Sequence, residues 1–191
     1  MENKVINQKL SNTKDSIIIA ASKLMTIKGV KSTSLADIAK EVGISKGTLY
    51  YYYTTKNEII FDIAEQHINQ ITSELFDWME TADTQVTPKD VIKVVFEKIL
   101  TAETRGKLHL YLINNLLTNN EYLRNRFKEK YKEWRNMLEE GLEKVLKNRT
   151  TDYGTLATLV LASLDGLTIQ WLLGVEKLPI DDIATLLAGV H

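Results

Sequence analysis

The sequence predicts an all-α protein: a small N-terminal three-helix unit followed by a larger helical bundle. Three observations carry that reading. Only two prolines occur in 191 residues, Pro88 and Pro179, and each suits the first turn of a new helix, where the missing N–H costs nothing. No segment sustains the period-two alternation of a strand. Charge is also unevenly divided. Residues 1–56 hold nine lysines and four acidic residues, +5, so the remainder carries −6 within an overall −1. A basic head on an acidic body points to a head that meets a polyanion.

The elements follow in order. The first helix is expected over residues 13–28, with Ile17, Ala20, Ala21, Leu24 and Met25 on one face and a stop at Gly29. A second begins after Ser34, whose hydroxyl can cap it while Asp37 completes a near capping box. It ends at Val42, since Gly43 is the natural left-handed stop. Ser45 caps a third short helix from Lys46 to about Tyr52. Thr55 and Glu58 form another box that opens a long fourth helix reaching about Glu80. Later helices are expected near residues 88–102, 105–118, 121–147, 153–174 and 179–188. The domain boundary is placed between residues 56 and 57.

Composition removes several chemistries. With no cysteine, disulfides, thiolate zinc sites and cysteine nucleophiles are excluded, which fits a reducing cytoplasm. The first 14 residues hold no apolar run of signal-peptide length. Residues 156–175 are the one stretch suggestive of a membrane span, but Asp165 at its centre would cost about 3 kcal/mol there. A buried helix is the expectation, with no membrane partner. His67, His109 and His191 are too scattered for a metal site, and no cofactor is expected. No nucleophile–base pair, phosphate loop or paired-carboxylate pattern marks an enzyme.

Residues 34–53 read SLADIAKEVGISKGTLYYYY. Leu35, Ile38, Ala39 and Val42 form the inner face of one helix, Ile44 fills the turn and Leu49 anchors the next. Two short capped helices joined at a glycine make the helix-turn-helix pattern, although an αα-corner of any helical protein would share it. The residues after the turn separate the two readings. Ser45, Lys46, Gly47 and Thr48 occupy the helix end that faces base edges and phosphates in this motif. Gly47 is unfavourable within a helix by about 1 kcal/mol, which makes sense where another surface must approach closely. Tyr50, Tyr51 and Tyr52 offer phenols to phosphates or rings to thymine methyls.

These residues closely resemble the TetR/AcrR family of transcription regulators. The resemblance is carried by Gly29, by residues 33–39 (TSLADIA) and 43–51 (GISKGTLYY), and by Lys56 with Glu58. It covers about the first 60 residues and implies an all-helical homodimer with a variable ligand-binding body. By position it implies that Thr33 or Ser34, and Ser45, touch phosphates, and that Lys46, Gly47 and Thr48 approach bases. Tyr50 and Tyr51 would reach the DNA backbone, with Tyr50 able to meet a base, and Lys56 would hold a phosphate. Two positions depart from the common pattern: Tyr52 stands where histidine is frequent, and Tyr53 where phenylalanine packs inward. Tyr53 must therefore find a hydrogen-bond partner or keep its hydroxyl wet.

Residues 1–56 contain no arginine, so the commonest bidentate guanine contact is unavailable. Readout should lean on Lys46, the Gly47 backbone, Thr48 and tyrosine–methyl packing. A moderately AT-rich operator follows, with a log–log salt slope of about 0.9 per neutralised phosphate.

The body matches the family weakly. Candidate pocket residues are Trp78, Phe96, Leu100 and Leu112 from the earlier helices, and Trp134, Met137, Leu161 and Trp171 from the later ones. Each could equally be plain core. Asn114 and Asn115 stand in an apolar run, and one turned inward, with Asn115 the candidate, would need partners that a ligand could supply. These features point to a mostly apolar small-molecule effector. Asp165 can equally be a hydrogen-bonded interface residue, and residues 124–135 a solvated face with Glu129 and Glu133 interleaved. Residues 156–173 are apolar on nearly all sides, and Ala162 and Gly166 would let a second helix approach, with Ile169 on the same interface. A single-chain bundle or a dimer could bury them; the resemblance implies that this helix and the last pair across a two-fold axis. The expected function is a dimeric repressor on a palindromic double-stranded DNA operator, released by an effector, or a constitutive DNA-binding regulator without one.

Overall fold

The computed structural model describes residues 2–81, 86–116, 121–147, 152–175 and 177–189. Among them are nine helices: α1 (Glu2–Lys28), α2 (Leu35–Val42), α3 (Lys46–Tyr52), α4 (Lys56–Thr81), α5 (Pro88–Thr101), α6 (Glu103–Leu116), α7 (Glu121–Leu146), α8 (Tyr153–Leu172) and α9 (Ile180–Ala188). α1 starts well before residue 13, because no glycine or proline interrupts residues 2–12. The expected end of the sixth helix at residue 118 lies outside the described residues.

Two compact units divide between His67 and Ile68. The division falls inside α4, later than the 56/57 boundary expected from the sequence. Ile59, Ile60, Phe61 and Ile63 in the first turns of α4 are buried, so they complete the first unit rather than open the second.

The caps of the first unit are local. Ser34 Oγ accepts from the Asp37 N–H at 3.1 Å, and the Asp37 carboxylate accepts from the Ser34 N–H at 2.9 Å, a full capping box. At the other end of α2, Gly43 takes φ 77°. Its N–H donates to the Lys40 carbonyl, and Ile44 N–H to that of Ala39. This left-handed closure turns the chain sharply, and a Cβ there would be strained. Ile17, Ala21, Ile38 and Leu49 from α1, α2 and α3 are wholly or almost wholly buried. Each larger one contributes about 1.5–3 kcal/mol by leaving water.

In the second unit, Ile92, Phe96 and Leu100 of α5 share one core with Leu142 of α7, Leu156, Val160, Leu164 and Leu167 of α8 and Ala184 of α9. α5 opens on a Thr87–Asp90 capping box with Pro88 at its first turn. Pro179, by contrast, is the N-cap of α9 and makes no side-chain cap bond, one residue outside the helix it was expected to begin. α8 needs a larger correction. Its length and hydropathy would allow a membrane span, but one side is core and the other open. Leu159 is 58 % exposed and Ile169 42 %, so "buried helix" describes half of it.

Candidate functional site

The first unit presents the N-terminal end of α3 as an open surface. Ser45 Oγ accepts from the Thr48 N–H at 3.0 Å and shares a 2.8 Å hydrogen bond with Thr48 Oγ1. Lys46, Gly47, Thr48, Tyr50 and Tyr51 are all exposed, and Tyr51 stands edge-on to Tyr52 at 5.3 Å between ring centroids. A shallow groove lined by Ser34, Leu35, Ala36, Lys46, Leu49 and Tyr50 runs between the starts of α2 and α3. A Cβ on Gly47 would meet only Ser45 Oγ, at 3.7 Å, an ordinary contact. Nothing inside the described fold requires glycine there. The Asp37 carboxyl is held below its ordinary range, first by the Ser34 hydroxyl and then by the Ser34 N–H, so it stays ionised beside this surface.

Two residues considered for phosphate contacts, Thr33 and Lys56, make hydrogen bonds within the fold. Thr33 is 1 % exposed, and its hydroxyl donates to the Gly29 carbonyl at 3.0 Å. It ties the end of α1 to the start of α2, leaving Ser34 as the exposed member of the pair. The Lys56 ammonium donates to the carbonyls of Val30 at 2.8 Å and Thr33 at 2.9 Å. Burial lowers its pKa, the direction expected of a cation drawn out of water. Lys56 is thus a clasp on the turn between α1 and α2. Sequence reading missed it because the partners lie 23 and 26 residues away.

Tyr53 has found the partner that its hydroxyl demands. It is 3 % exposed and donates to Asp62 Oδ2 at 2.8 Å, while Lys14 Nζ pairs with the same oxygen at 2.8 Å. The Lys14 ammonium also lies 5.7 Å from the Tyr53 ring centre. α1, α4 and the end of α3 are joined through one buried carboxylate.

The second unit holds a cleft of about 580 Å³, including its open mouth. Its apolar walls come from Ile68 and Ile71 of α4, Ile99 of α5, Leu138 of α7 and Leu161 of α8. Arg105 and His109 of α6 and Asp165 of α8 supply polar groups. Tyr131 donates to Asp165 Oδ2 at 2.8 Å, and His109 Nε2 lies 3.2 Å from the Tyr131 oxygen and 3.4 Å from Asp165 Oδ1. Burial and the neighbouring carboxylate push the Tyr131 phenol far above its ordinary value. Phe127, Tyr131 and Trp134 stack loosely around His109, with centroids 5.9–6.1 Å away.

Of the residues expected to line a pocket, Trp134, Met137 and Leu161 stand on this cleft. Phe96 and Leu100 do not; they are core side chains between helices, as their near-complete burial requires. Leu112 is likewise fully buried. Trp78 and Trp171 are not among the cleft-lining residues either, and Trp171 is 40 % exposed. The Asn115 amide donates to the Tyr111 carbonyl of its own helix at 2.6 Å, and Asn114 is exposed. Neither asparagine lines the cleft. Arg105, His109 and Tyr131 had no local signal, because a cleft built from α4 to α8 leaves no spacing pattern. Ala162 is exposed, and a Cβ at half-buried Gly166 would meet nothing within 4 Å.

Comparison with known proteins gives a consistent picture. Residues 17–63 match the model described as bacterial regulatory proteins, tetR family, and residues 101–189 match that of the BetI-type transcriptional repressor C-terminal region. The chain is similar to the HTH-type transcriptional regulator AcrR of Shigella flexneri, 28 % identical over 104 residues, 53 % of this chain and 48 % of that protein. It thus spans about half the length of that relative. It is also similar to the fatty acid metabolism regulator protein of Bacillus subtilis, 22 % identical over 186 residues, 92 % of this chain and 94 % of the relative. Among solved structures, the regulator FadR from Bacillus subtilis in complex with stearoyl-CoA superposes with a TM-score of 0.66 at 18 % identity, covering 92 % of this chain and 98 % of that one. That likeness is one of fold.

Proposed function

The chain belongs to the TetR/AcrR family of bacterial transcription regulators, and from that premise we propose that it is a homodimeric repressor released from a palindromic operator by a small effector. The observation that carries the DNA-reading part is the exposed start of α3: Gly47 has no internal reason to lack a side chain, and Lys46 makes no ion pair among the described residues. Lys46, Gly47 and Thr48 approach bases, Ser34 and Ser45 meet phosphates, and Tyr50 and Tyr51 reach the backbone or a thymine methyl. Selecting bound fragments from random DNA tests this reading. Two AT-rich inverted half-sites are expected; a GC-rich consensus, or no enrichment, overturns it.

Dimerisation is supported by the open side of α8. Leu159, Ala162, Gly166, Ile169 and Leu173 recur at helical three- and four-residue steps, and all are exposed or half-buried. Such a stripe, with small residues at its centre, suits a second copy of the same helix. Ultracentrifugation at micromolar concentration should show a dimer; monomer alone would sink the assignment. Effector control is supported by the cleft of the second unit, whose mostly apolar walls surround a few polar groups, the lining of a small-molecule site. An effector must bind the free and operator-bound states with different affinity. If every cleft ligand leaves operator affinity unchanged, the protein is a constitutive regulator instead.

A further inference from the structure

Arg105 is 6 % exposed, and its surroundings do not balance it. Its Nη2 donates to the Ile99 carbonyl at 3.3 Å, and its Nε is buried with no hydrogen-bond partner. It forms no ion pair among the described residues. Asp165 faces the same cleft, but Tyr131 donates to one of its oxygens and His109 Nε2 lies 3.4 Å from the other. A guanidinium withdrawn from water without a counter-ion in contact is costly, and the cost falls when an anion docks on it. Around it the cleft is apolar, walled by Ile68, Ile71, Ile99, Leu138 and Leu161.

We propose that the cleft binds an organic carboxylate with an apolar body, its carboxylate on Arg105 and its hydrocarbon along the isoleucine and leucine walls. The aromatic cluster with Asp165 could be thought to suit a cation instead. However, Asp165 already accepts from Tyr131 and has His109 beside its other oxygen, whereas Arg105 has one carbonyl at 3.3 Å and a buried Nε without a partner; the vacancy is for negative charge. The role of this ligand as effector rests on the repressor reading; its binding does not.

The test compares three eight-carbon probes that differ only in the head: octanoate, 1-octanol and octyltrimethylammonium. Each is titrated calorimetrically into the full chain at about pH 7.5, where a carboxylate is ionised. Octanoate should bind at least about 10-fold more tightly than the alcohol, the ratio of a charge-assisted hydrogen bond, and the cation more weakly still. Arg105→Gln should bring octanoate and octanol within about two-fold of each other, and Arg105→Lys should keep part of the preference. Should Arg105→Gln fail to fold, the head-group comparison on the native chain and on Arg105→Lys decides. Equal affinity for acid and alcohol, tightest binding of the cation, no binding of any probe, or a preference surviving Arg105→Gln would each overturn the proposal. Operator affinity with and without octanoate is measured separately: tight octanoate binding that leaves the DNA complex intact refutes effector release while the anion site stands.

Discussion

Gly47→Ala separates what the fold needs from what the DNA needs. An added Cβ would lie 3.7 Å from Ser45 Oγ and touch nothing else within 4 Å, so the helix can accept it. Alanine is favoured over glycine in a helix interior by about 1 kcal/mol, an upper bound this close to the start of α3. For a chain of this length the gain raises the melting temperature by at most about 2–4 °C. The methyl would stand on the surface assigned to base edges. If it displaces one base contact per protomer, at about 1–3 kcal/mol each, the dimer loses about 2–6 kcal/mol, on the order of 30-fold to 10⁴-fold in affinity. Calorimetry reads the first effect, and fluorescence anisotropy on the selected operator, at fixed salt, reads the second. Gly141→Ala on exposed α7, where a Cβ also meets nothing, is the control that should leave DNA affinity alone. An unchanged operator affinity in Gly47→Ala would refute the placement of α3 on DNA; a melting point several degrees lower would refute the claim that glycine is dispensable to the fold.

Five further outcomes are expected. Lys56→Met leaves the Val30 and Thr33 carbonyls without their donor and should cost about 1–3 kcal/mol, read as a lower urea midpoint. Lys46→Met should leave that midpoint alone and reduce the salt slope of operator binding by about 0.9 for each phosphate released; the reverse pattern would exchange the two roles. Tyr53→Phe removes one of the donors to buried Asp62 and should destabilise by about 1–3 kcal/mol, and a neutral result in urea melts would show that Lys14 suffices. Ile169→Glu places a charge on the open stripe of α8 and should yield monomer by ultracentrifugation, with operator binding weakened; an intact dimer would relocate the interface. Acid sensitivity follows from Asp37, whose folded pKa lies below its ordinary 3.8. A depressed carboxyl stabilises the fold above its unfolded pKa and loses that contribution as pH falls through the folded value. Asp37→Asn should therefore flatten the stability profile below about pH 4, and an identical acid limb in both proteins would refute the linkage.

What the sequence made legible is what short-range chemistry decides. The ends of α2 and α3 fall where Ser34, Gly43 and Ser45 place them, because caps and left-handed stops act within four residues. Tyr53 announced its need for a partner, since a phenol in an apolar position must satisfy its hydroxyl, but Asp62 could not be named beforehand. The clasp at Lys56 was illegible for a related reason: exposed lysines and clasping lysines share one pattern, and only the folded turn between α1 and α2 brings the carbonyls within reach. Phe96 and Trp134 were equal candidates for a pocket; the packing of α5 against α9 and of α7 against α8 separated them. Arg105 carried no signal, because the burial of its Nε without a partner is a property of the assembled cleft.

Gly106 adjoins Arg105, and a Cβ there would come within 3.0 Å of Thr168 Cγ2 and 3.2 Å of Leu172 Cδ1. α6 and α8 therefore approach closely here, beside the polar end of the cleft and behind the face of α8 that looks outward through Ile169. An added methyl needs a few tenths of an ångström from the Thr168 and Leu172 side chains. Gly106→Ala thus measures how far the seam between the two helices can yield while the cleft is empty.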